Sequence, residues 1–187
     1  HVKVALSGDG GDELFCGYNR YISTNKWSKT FNSIPISLRK ILSYLLKSVS
    51  QNNWNNLSKI LPGLNENTNL GHKIYKGANA LEANTLSDLY YILSSQWQNP
   101  TDTVISSKEK ETILSKFKPK LSSLNDHQKM MVIDLITYLP NDILVKVDRA
   151  SMASSLESRM PFLDHELIEH VWKIPHSLKF KNGQGKW

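Results

Sequence analysis

The sequence predicts a mainly helical member of the α/β class, entered through one N-terminal β-strand. Residues 2–6, VKVAL, form a short apolar and β-prone run that ends at Gly8, which is typical of a buried strand. Beyond Gly17 the apolar residues recur with helical spacing. One strand followed by so many helices is an unusual balance for a complete α/β domain. The chain also opens without a methionine, so we expect the C-terminal part of a larger domain.

The segment PISLRKILSYLLKSV predicts the first long helix. Pro35 suits a first helical turn, because its missing N–H would be unpaired there in any case. Five apolar residues are expected to form one stripe along this helix, namely Ile41, Leu42, Leu45, Leu46 and Val49.

The middle of the chain predicts shorter helices separated by loops. Residues 51–71 are rich in asparagine and indicate a short helix flanked by loops. Two helices are expected at 72–83 and 86–98, and 99–107 has the composition of a linker. The second of these helices carries the apolar residues Leu86, Leu89, Tyr90, Leu93 and Trp97.

Sharper helix signals begin at Asn125, which can cap a helix together with Gln128, three positions on. Pro140 is expected to end that helix, and another is expected over about 142–155. Asp164 is placed to cap the last predicted helix.

Composition limits the classes of function. The 187 residues suffice for one domain, and 40% hydrophobic with 21% charged residues is typical of a soluble globular protein. No apolar run approaches the roughly 18 residues of a membrane span. Cys16 is the single cysteine, which excludes an internal disulfide framework and a cysteine-rich metal site and favours a reducing cytoplasm. The net charge of +6 comes from scattered lysines, so solvated lysine-rich faces are favoured over nucleic-acid binding.

The stretch SGDGGDE, directly after the predicted strand, is the first candidate site. Its glycines are Gly8, Gly10 and Gly11, and its acids are Asp9, Asp12 and Glu13. A glycine-rich turn at a strand end can present backbone N–H groups to anionic oxygens, and acids there suit Mg²⁺ held between them and phosphates. The spacing does not fit a Walker loop, the dinucleotide fingerprint or an EF-hand. A purely polar turn, with Asp9 or Asp12 capping the next helix, remains the alternative.

A second constellation lies in NDILVKVDRASMASSLESRMPFLD. Its charged residues are Lys146, Asp148, Arg149, Glu157 and Arg159. Because they stand among apolar residues, a paired and partly buried network is expected. Lys146 and Arg149 are three positions apart and share a helical face. Glu157 and Arg159 fit structural pairing, whereas Lys146 and Arg149 fit either pairing or support of a site.

These stretches together resemble the synthetase domain of the glutamine-dependent asparagine synthetases. That family carries SGxGxDExFGGY, here SGDGGDELFCGY from Ser7 to Tyr18. It also carries VDRxSMAxxLExRxPFLD, here VDRASMASSLESRMPFLD from Val147 to Asp164. A third match is a Gly-Lys-aromatic motif, here Gly185-Lys186-Trp187. The resemblance implies an adenine nucleotide alpha hydrolase-like fold and assigns 1–187 to the C-terminal portion of the synthetase domain.

The resemblance also implies a reaction and its site residues. ATP would activate a carboxylate, aspartate in the named enzymes, as an acyl-adenylate, and ammonia derived from glutamine would then form the amide. The implied ATP contacts are Ser7 and Gly8, with Gly10 and Gly11 beside them. Asp12 matches a Mg²⁺ position, and the implied catalytic residues are Asp9 and Lys186, the latter near the reacting phosphate. Glu13, Lys146 and Arg149 are candidate supporting charges.

The sequence differs from the family's motifs at two positions, and it lacks two parts that the family carries. Position 9 is Asp where many asparagine synthetases have Glu, which leaves the amidated carboxylate open. Cys16 replaces a glycine of FGGY and is expected to be a buried apolar filler. The family's SGGxDS phosphate loop and N-terminal glutaminase domain are absent from these residues. We therefore expect the 187 residues alone to bind ATP weakly and form no product.

Two alternatives to asparagine synthesis stay open. One is a related amidotransferase acting on a sugar acid, a peptide or a β-lactam precursor. The other is a non-catalytic helical module that binds protein or an acidic polymer. Small-molecule substrates are the expected partners, with no nucleic acid and no membrane, and a homodimer is open as the assembly.

Overall fold

The fold is described from a computed structural model, which covers residues 2–60, 69–95, 97, 100–108, 113 and 121–187. The chain divides into two units. The terminal unit combines His1–Ser23 with Lys108–Trp187, and the middle unit is Thr24–Ser107. Among the described helices, none has the length and apolar character needed to cross a bilayer.

The described elements alternate few strands with many helices. The first part contains β1 (Val4–Leu6), α1 (Gly11–Leu14), α2 (Asn19–Asn32), α3 (Ile36–Ser48), α4 (Gln51–Ile60), α5 (Leu70–Leu81), α6 (Leu86–Ser94) and a 3₁₀ turn at Pro100–Thr103. The second part contains α7 (Asp126–Ile136), a π-helical turn (Leu139–Ile143), α8 (Leu144–Met152), β2 (Glu157–Arg159), a 3₁₀ turn (Pro161–Leu163), α9 (His165–Lys173), α10 (His176–Lys179), β3 (Phe180–Lys181) and β4 (Gln184–Gly185). The mostly helical character predicted from the sequence is confirmed.

The predicted N-terminal strand exists, but it has a partner that the sequence did not indicate. β1 pairs in parallel with β2, with Val4 opposite Glu157, and the Ser7 N–H donates to the Arg159 carbonyl oxygen at 2.8 Å. A further antiparallel pair joins β3 and β4, so the expectation of a single strand is wrong. The expected burial of β1 is also wrong for this chain. Val4 is 41% and Leu6 75% exposed, because within the described residues only β2 lies beside the strand.

The predicted caps of the C-terminal helices are confirmed. Asn125 Oδ1 accepts from the Gln128 N–H at 2.9 Å, and Gln128 Oε1 accepts from the Asn125 N–H at 3.1 Å, which completes a capping box. Asp164 accepts from two backbone N–H groups at the start of α9. Pro140 does not end the helical run as expected. The helix α7 ends earlier, at Ile136, and Pro140 lies in the π-helical turn that leads into α8.

In the middle unit, the apolar stripe of α3 is mostly exposed among the described residues. Its apolar residues Ile41, Leu42 and Leu45 are 46–57% exposed. Its buried residues are instead Arg39 and Ser43. Arg39 is accommodated because its guanidinium donates to backbone carbonyl oxygens of the middle unit. The other two members of the stripe, Leu46 and Val49, are half-buried.

The apolar core of the middle unit forms where α5 and α6 meet. The buried residues Ala80, Ala83 and Leu89 pack against Phe31, Ile92 and Leu93. The helices predicted at 72–83 and 86–98 correspond to α5 and α6, the second ending earlier, at Ser94. The predicted short helix after residue 51 corresponds to α4, and parts of its flanking loops, residues 61–68, lie outside the described residues.

Candidate active site

The SGDGGDE segment forms the connection from β1 into α1. Ser7 Oγ donates to Asp9 Oδ2, and the Gly11 N–H donates to the Gly8 carbonyl oxygen at 3.2 Å. Gly10 has φ +91°, a left-handed conformation that favours glycine, and Leu163 would stand 2.6 Å from a Cβ there. At Gly8, by contrast, a Cβ would meet no atom within 4 Å. The Leu163 side chain therefore covers the loop at Gly10. At Gly8 the backbone is open, and another molecule can approach it.

An ion pair brings the first and third sequence motifs together. Lys186 Nζ lies 2.9 Å from Asp12 Oδ1, and both side chains are partly exposed. The backbone supports this contact, because the Lys186 N–H donates to the Phe15 carbonyl oxygen at 2.8 Å. Gly185 lies so close to the Cys16 carbonyl oxygen that a Cβ at position 185 would overlap that atom. Two residues from opposite ends of the chain therefore share one site.

Glu13 lies in the interior, unlike the half-buried Asp9 and Asp12. It is fully buried, and its Oε1 accepts from the Tyr18 hydroxyl at 2.9 Å. Burial raises the pKa of Glu13, against the opposing hydrogen bonds from the backbone and Tyr18. Its Oε2 atom has no hydrogen-bond partner among the described residues. Glu13 therefore stabilises the segment from the protein interior, and its carboxylate is not exposed at the loop surface.

A partly buried charged cluster next to this segment was missed from the sequence. Arg20 Nη2 lies 2.7 Å from Asp134 Oδ2, which also accepts from the Tyr21 hydroxyl at 2.6 Å. The Arg20 guanidinium lies 4.2 Å from the ring centroid of Tyr18 and 4.3 Å from that of Tyr138. One signal could have revealed the cluster, since Asp134 is an acid within the apolar run of α7.

The second constellation lies at the surface. Lys146 Nζ pairs with Asp142 Oδ1 at 2.7 Å, and Arg159 Nε pairs with Glu157 Oε1 at 2.7 Å, with all four side chains at least 43% exposed. The hydrogen bond to Asp142 raises the pKa of Lys146. Arg149 is exposed as well. The expectation of a partly buried network is wrong, because α8 buries none of its residues.

The residues around the loop fit a hard cation and phosphate groups. Asp9 and Asp12 supply half-buried carboxylate oxygens, which are the donors Mg²⁺ prefers. The open side of Gly8 leaves space for a ligand against the backbone. Lys186 provides a positive charge at the same place, and it stays accessible to an anionic ligand because its side chain is 55% exposed.

A glycine-rich acidic turn after a parallel strand, paired with a lysine from the C-terminal segment, defines a helix-rich α/β protein with a site suited to phosphate chemistry. The family model described as Asparagine synthase matches residues 1–187. The chain belongs to the asparagine synthase family.

Relatives extend this assignment. The chain is 34% identical over 189 residues to Asparagine synthetase (glutamine-hydrolyzing) 1 of Bacillus subtilis, covering all of this chain and 27% of that protein. It is 32% identical over 101 residues to Asparagine synthetase (glutamine-hydrolyzing) 3 of the same species, covering 51% of this chain and 16% of that protein. A fungal protein named Amidase chyE, from Penicillium rubens, is 26% identical over 192 residues, 96% of this chain and 27% of that protein. The chain spans about a quarter of the length of the curated relatives that match it in full. No solved structure matches the chain.

Proposed function

We propose that the complete protein carrying this chain is an ATP-dependent amide-forming ligase, and that it makes asparagine from aspartate. Membership of the asparagine synthase family supports the proposal. The observation that carries it is the 2.9 Å contact between Asp12 and Lys186, which joins two motifs of that family in one site.

The proposed reaction has two steps. An oxygen of the substrate carboxylate attacks the α-phosphorus of ATP, the new O–P bond forms, and the bond to pyrophosphate breaks. For aspartate the product is β-aspartyl-AMP. Ammonia, supplied from glutamine, then attacks the acyl carbon, loses a proton, and AMP departs with the acyl oxygen. Charge therefore builds on phosphate oxygens in the first step, and a proton must be removed in the second.

Lys186 is proposed to stabilise the charge of the first step. Its ammonium lies at the loop that Ser7, Gly8, Gly10 and Gly11 form after β1, where the backbone would contact ATP. A cation fixed before the reaction stabilises developing negative charge more effectively than water does. Mg²⁺ bound at Asp12 would supply further charge neutralisation at the phosphates. Asp12 has a second role in our proposal, because its pairing with Lys186 holds that side chain at the loop.

Asp9 is proposed to accept the proton that the attacking ammonia loses. Its carboxylate is half-buried and is oriented by the hydrogen bond from Ser7 Oγ. A positioned base of this kind typically contributes 10²–10⁴-fold to a rate, as an order of magnitude. This role predicts that a change at Asp9 affects amide formation more than adenylation.

ATP–pyrophosphate exchange in the complete protein tests the first step. We expect exchange that depends on aspartate, with Lys186→Met and Asp12→Asn lowering its rate by about 100-fold. Asp9→Asn should retain much of the exchange and lose asparagine formation. The matched control is Lys47→Met, because Lys47 is also paired with a carboxylate, at 2.7 Å from Glu82, but in the middle unit.

The outcomes separate the alternatives. Exchange with another acid only, from a panel of sugar acids and peptides, would keep the chemistry and change the substrate. No exchange with any acid, from a folded complete protein, would overturn the proposal and favour the non-catalytic module. The same proposal includes an adenine nucleotide alpha hydrolase-like fold, a cytoplasmic location and a homodimer.

A further inference from the structure

Three residues that the proposed reaction does not use form a cluster of metal-ligand type within the terminal unit. They are Cys16, which follows α1, His127 in the first turn of α7, and His176 at the start of α10. Each offers one ligand atom, a thiol sulfur or an imidazole nitrogen, and these atoms lie within 4.8 Å of one another. The three ligands come from distant parts of the sequence, so the fold alone brings them together.

We propose that Cys16, His127 and His176 bind a transition-metal ion of the Zn²⁺ type, which fastens the segment after α1 to the C-terminal segment. One sulfur and two imidazole nitrogens are the donors that zinc prefers. Mg²⁺ prefers oxygen donors, so this site is chemically distinct from the one proposed at Asp12. Three protein ligands leave one position of a tetrahedral zinc ion for water.

The two imidazoles are already arranged as ligands. His127 Nδ1 and His176 Nε2 lie 3.2 Å apart, and the His127 ring lies 4.4 Å from the Phe180 ring, centroid to centroid. His176 Nδ1 is buried and has no hydrogen-bond partner among the described residues. The two rings are also close as a whole, with their centroids 5.3 Å apart. Two nitrogens 3.2 Å apart can both reach one ion at the usual zinc–nitrogen distance of about 2.0–2.1 Å.

Cys16 occupies a backbone position that suits glycine better. Its φ is +56°, and it is fully buried. A left-handed conformation is unfavourable for a residue other than glycine, and such residues are concentrated at functional sites. The Cys16 thiol lies beside the two imidazoles in this conformation, within reach of a shared ion. The same position offers a clean variant, because Cys16→Gly removes the ligand and also relieves the backbone.

The binding step releases a proton. Cysteine binds a metal ion as the thiolate, so Cys16 must lose its proton to serve as a ligand. When the sulfur–metal bond forms, the S–H bond breaks and its proton passes to water. Lys179 is buried nearby, with its Nζ atom 5.0 Å from the centroid of the Trp172 ring.

The cluster is connected to Lys186 through the backbone. The Cys16 carbonyl oxygen packs against Gly185, and the residue before it, Phe15, accepts a hydrogen bond from the Lys186 N–H. His176 begins the helix that leads directly into β3 and β4. A metal ion held by the cluster would therefore join the first motif to the segment that carries Lys186.

Metal binding by the complete protein tests the proposal without reference to catalysis. The protein is stripped with a chelator and titrated with Co²⁺, whose bond to a thiolate gives a near-ultraviolet charge-transfer band, and its zinc content is measured after loading with Zn²⁺. We expect the band in the unmodified protein and in the control His170→Asn, since His170 is exposed on α9. The band should be absent in Cys16→Gly, and the affinity should fall by about tenfold or more in His127→Asn and His176→Asn.

Zn²⁺ should also raise the Tm of the unmodified protein and of His170→Asn, and should leave that of Cys16→Gly unchanged. A cobalt band of equal strength in Cys16→Gly would overturn the proposal, as would an unmodified protein that binds no zinc above the level of Cys16→Gly. Circular dichroism of the metal-free variants shows whether each is folded. If one histidine variant does not fold, Cys16→Gly and the other histidine variant still decide the outcome.

Discussion

The backbone of Gly17 lies directly against the Asp12 carboxylate. A Cβ at position 17 would overlap the Asp12 Oδ1 atom and would stand 2.9 Å from Cγ. It would also overlap the Lys186 side chain at Cε. The Gly17 N–H in turn donates to the Asp12 carbonyl oxygen at 2.9 Å. Glycine is therefore required here by the space that the ion pair of Asp12 and Lys186 occupies.

Gly17→Ala is expected to separate Asp12 from Lys186 while the fold persists. The overlapping atoms are the ends of flexible side chains, so they can move aside, at a cost to stability of about 1–3 kcal/mol. ATP–pyrophosphate exchange in the complete protein should fall by about 100-fold, as it should for Lys186→Met. Thermal unfolding and the exchange assay together measure the two effects.

Gly77→Ala is the matched control for this change. Gly77 lies inside α5, and a Cβ there would meet no atom within 4 Å. Alanine should stabilise the helix by about 0.5–1 kcal/mol and leave the exchange rate unchanged. If Gly17→Ala exchanges pyrophosphate as fast as Gly77→Ala, the contact between Asp12 and Lys186 has no part in the reaction.

Asp134→Ala is expected to destabilise the terminal unit strongly. Asp134 is 1% exposed, and its loss would leave the Arg20 guanidinium without the carboxylate it now contacts. Breaking such a pair costs about 3–5 kcal/mol when both partners are buried, and we expect about 3 kcal/mol because Arg20 is 31% exposed. Urea unfolding of the purified protein measures the loss.

A double-mutant cycle separates the contributions to Asp134. Tyr21→Phe removes one hydrogen bond to a charged acceptor and should cost about 1.5–3 kcal/mol. Because Tyr21 and Asp134 share that bond, the double variant should lose less stability than the sum of the two single losses. Additive losses would show that the 2.6 Å contact between them contributes nothing.

Features set by neighbours in sequence were predictable, and those set by distant partners were not. The capping box of Asn125 and Gln128 spans three positions, so the sequence alone determines it. β2 has the sequence Glu-Ser-Arg and carries no strand pattern. It is a strand because β1 lies beside it, and β1 is separated from it by most of the chain. No local pattern can carry that information.

In the candidate site, too, local features were predictable from the sequence and contacts between distant residues were not. The motifs located Asp12 and Lys186, but their contact depends on the path of the chain between them. Glu13 could have been distinguished from Asp12, because successive helical positions point about 100° apart and Leu14 continues the buried face. The cluster of Cys16 with His127 and His176 could not have been found, since its members are far apart in sequence and their common feature is position alone.

Arg39→Met is expected to destabilise the middle unit. Arg39 is 7% exposed and donates to the carbonyl oxygens of Leu81 and Ala83, at 3.3 and 2.8 Å. It also donates to the Ile34 carbonyl oxygen at 3.1 Å. A methionine fills a similar volume and leaves these acceptors without the guanidinium, so we expect a loss of about 2–4 kcal/mol in urea unfolding.

Arg39→Lys tests whether the fork of the guanidinium matters as well as its charge. A lysine ammonium cannot reproduce the geometry of several N–H groups, so this variant should lie between the unmodified protein and Arg39→Met. Arg149→Met, at an exposed position of α8, serves as the control and should change stability by less than about 0.5 kcal/mol. Equal stability of Arg39→Met and Arg149→Met would contradict the role assigned to Arg39.

Glu82 is expected to make stability depend on pH in the acid range. Burial acts to raise the pKa of Glu82, but hydrogen bonds from Lys47 and Ser43 outweigh it, so the pKa lies below its ordinary value. The Lys47 Nζ atom is 2.7 Å and the Ser43 Oγ atom 2.6 Å from Glu82 Oε1. The folded state therefore favours the carboxylate. Its stabilising contribution is present above the unfolded pKa and is lost as the pH falls through the lower, folded pKa.

Glu82→Gln should lower the free energy of unfolding at neutral pH by about 0.2–1 kcal/mol, the range for exposed pairs, since the Glu82 side chain is 44% exposed. The difference from the unmodified protein should shrink as the pH falls below the ordinary glutamate pKa of about 4.3, and it should vanish below the folded pKa, where the glutamate is protonated in both states. Glu169→Gln, on the exposed face of α9, is the control and should show no such trend. Unfolding in urea at several pH values measures both variants. A deficit of Glu82→Gln that stays constant as the pH falls would mean that Glu82 stabilises the fold through shape and hydrogen bonding rather than through its charge.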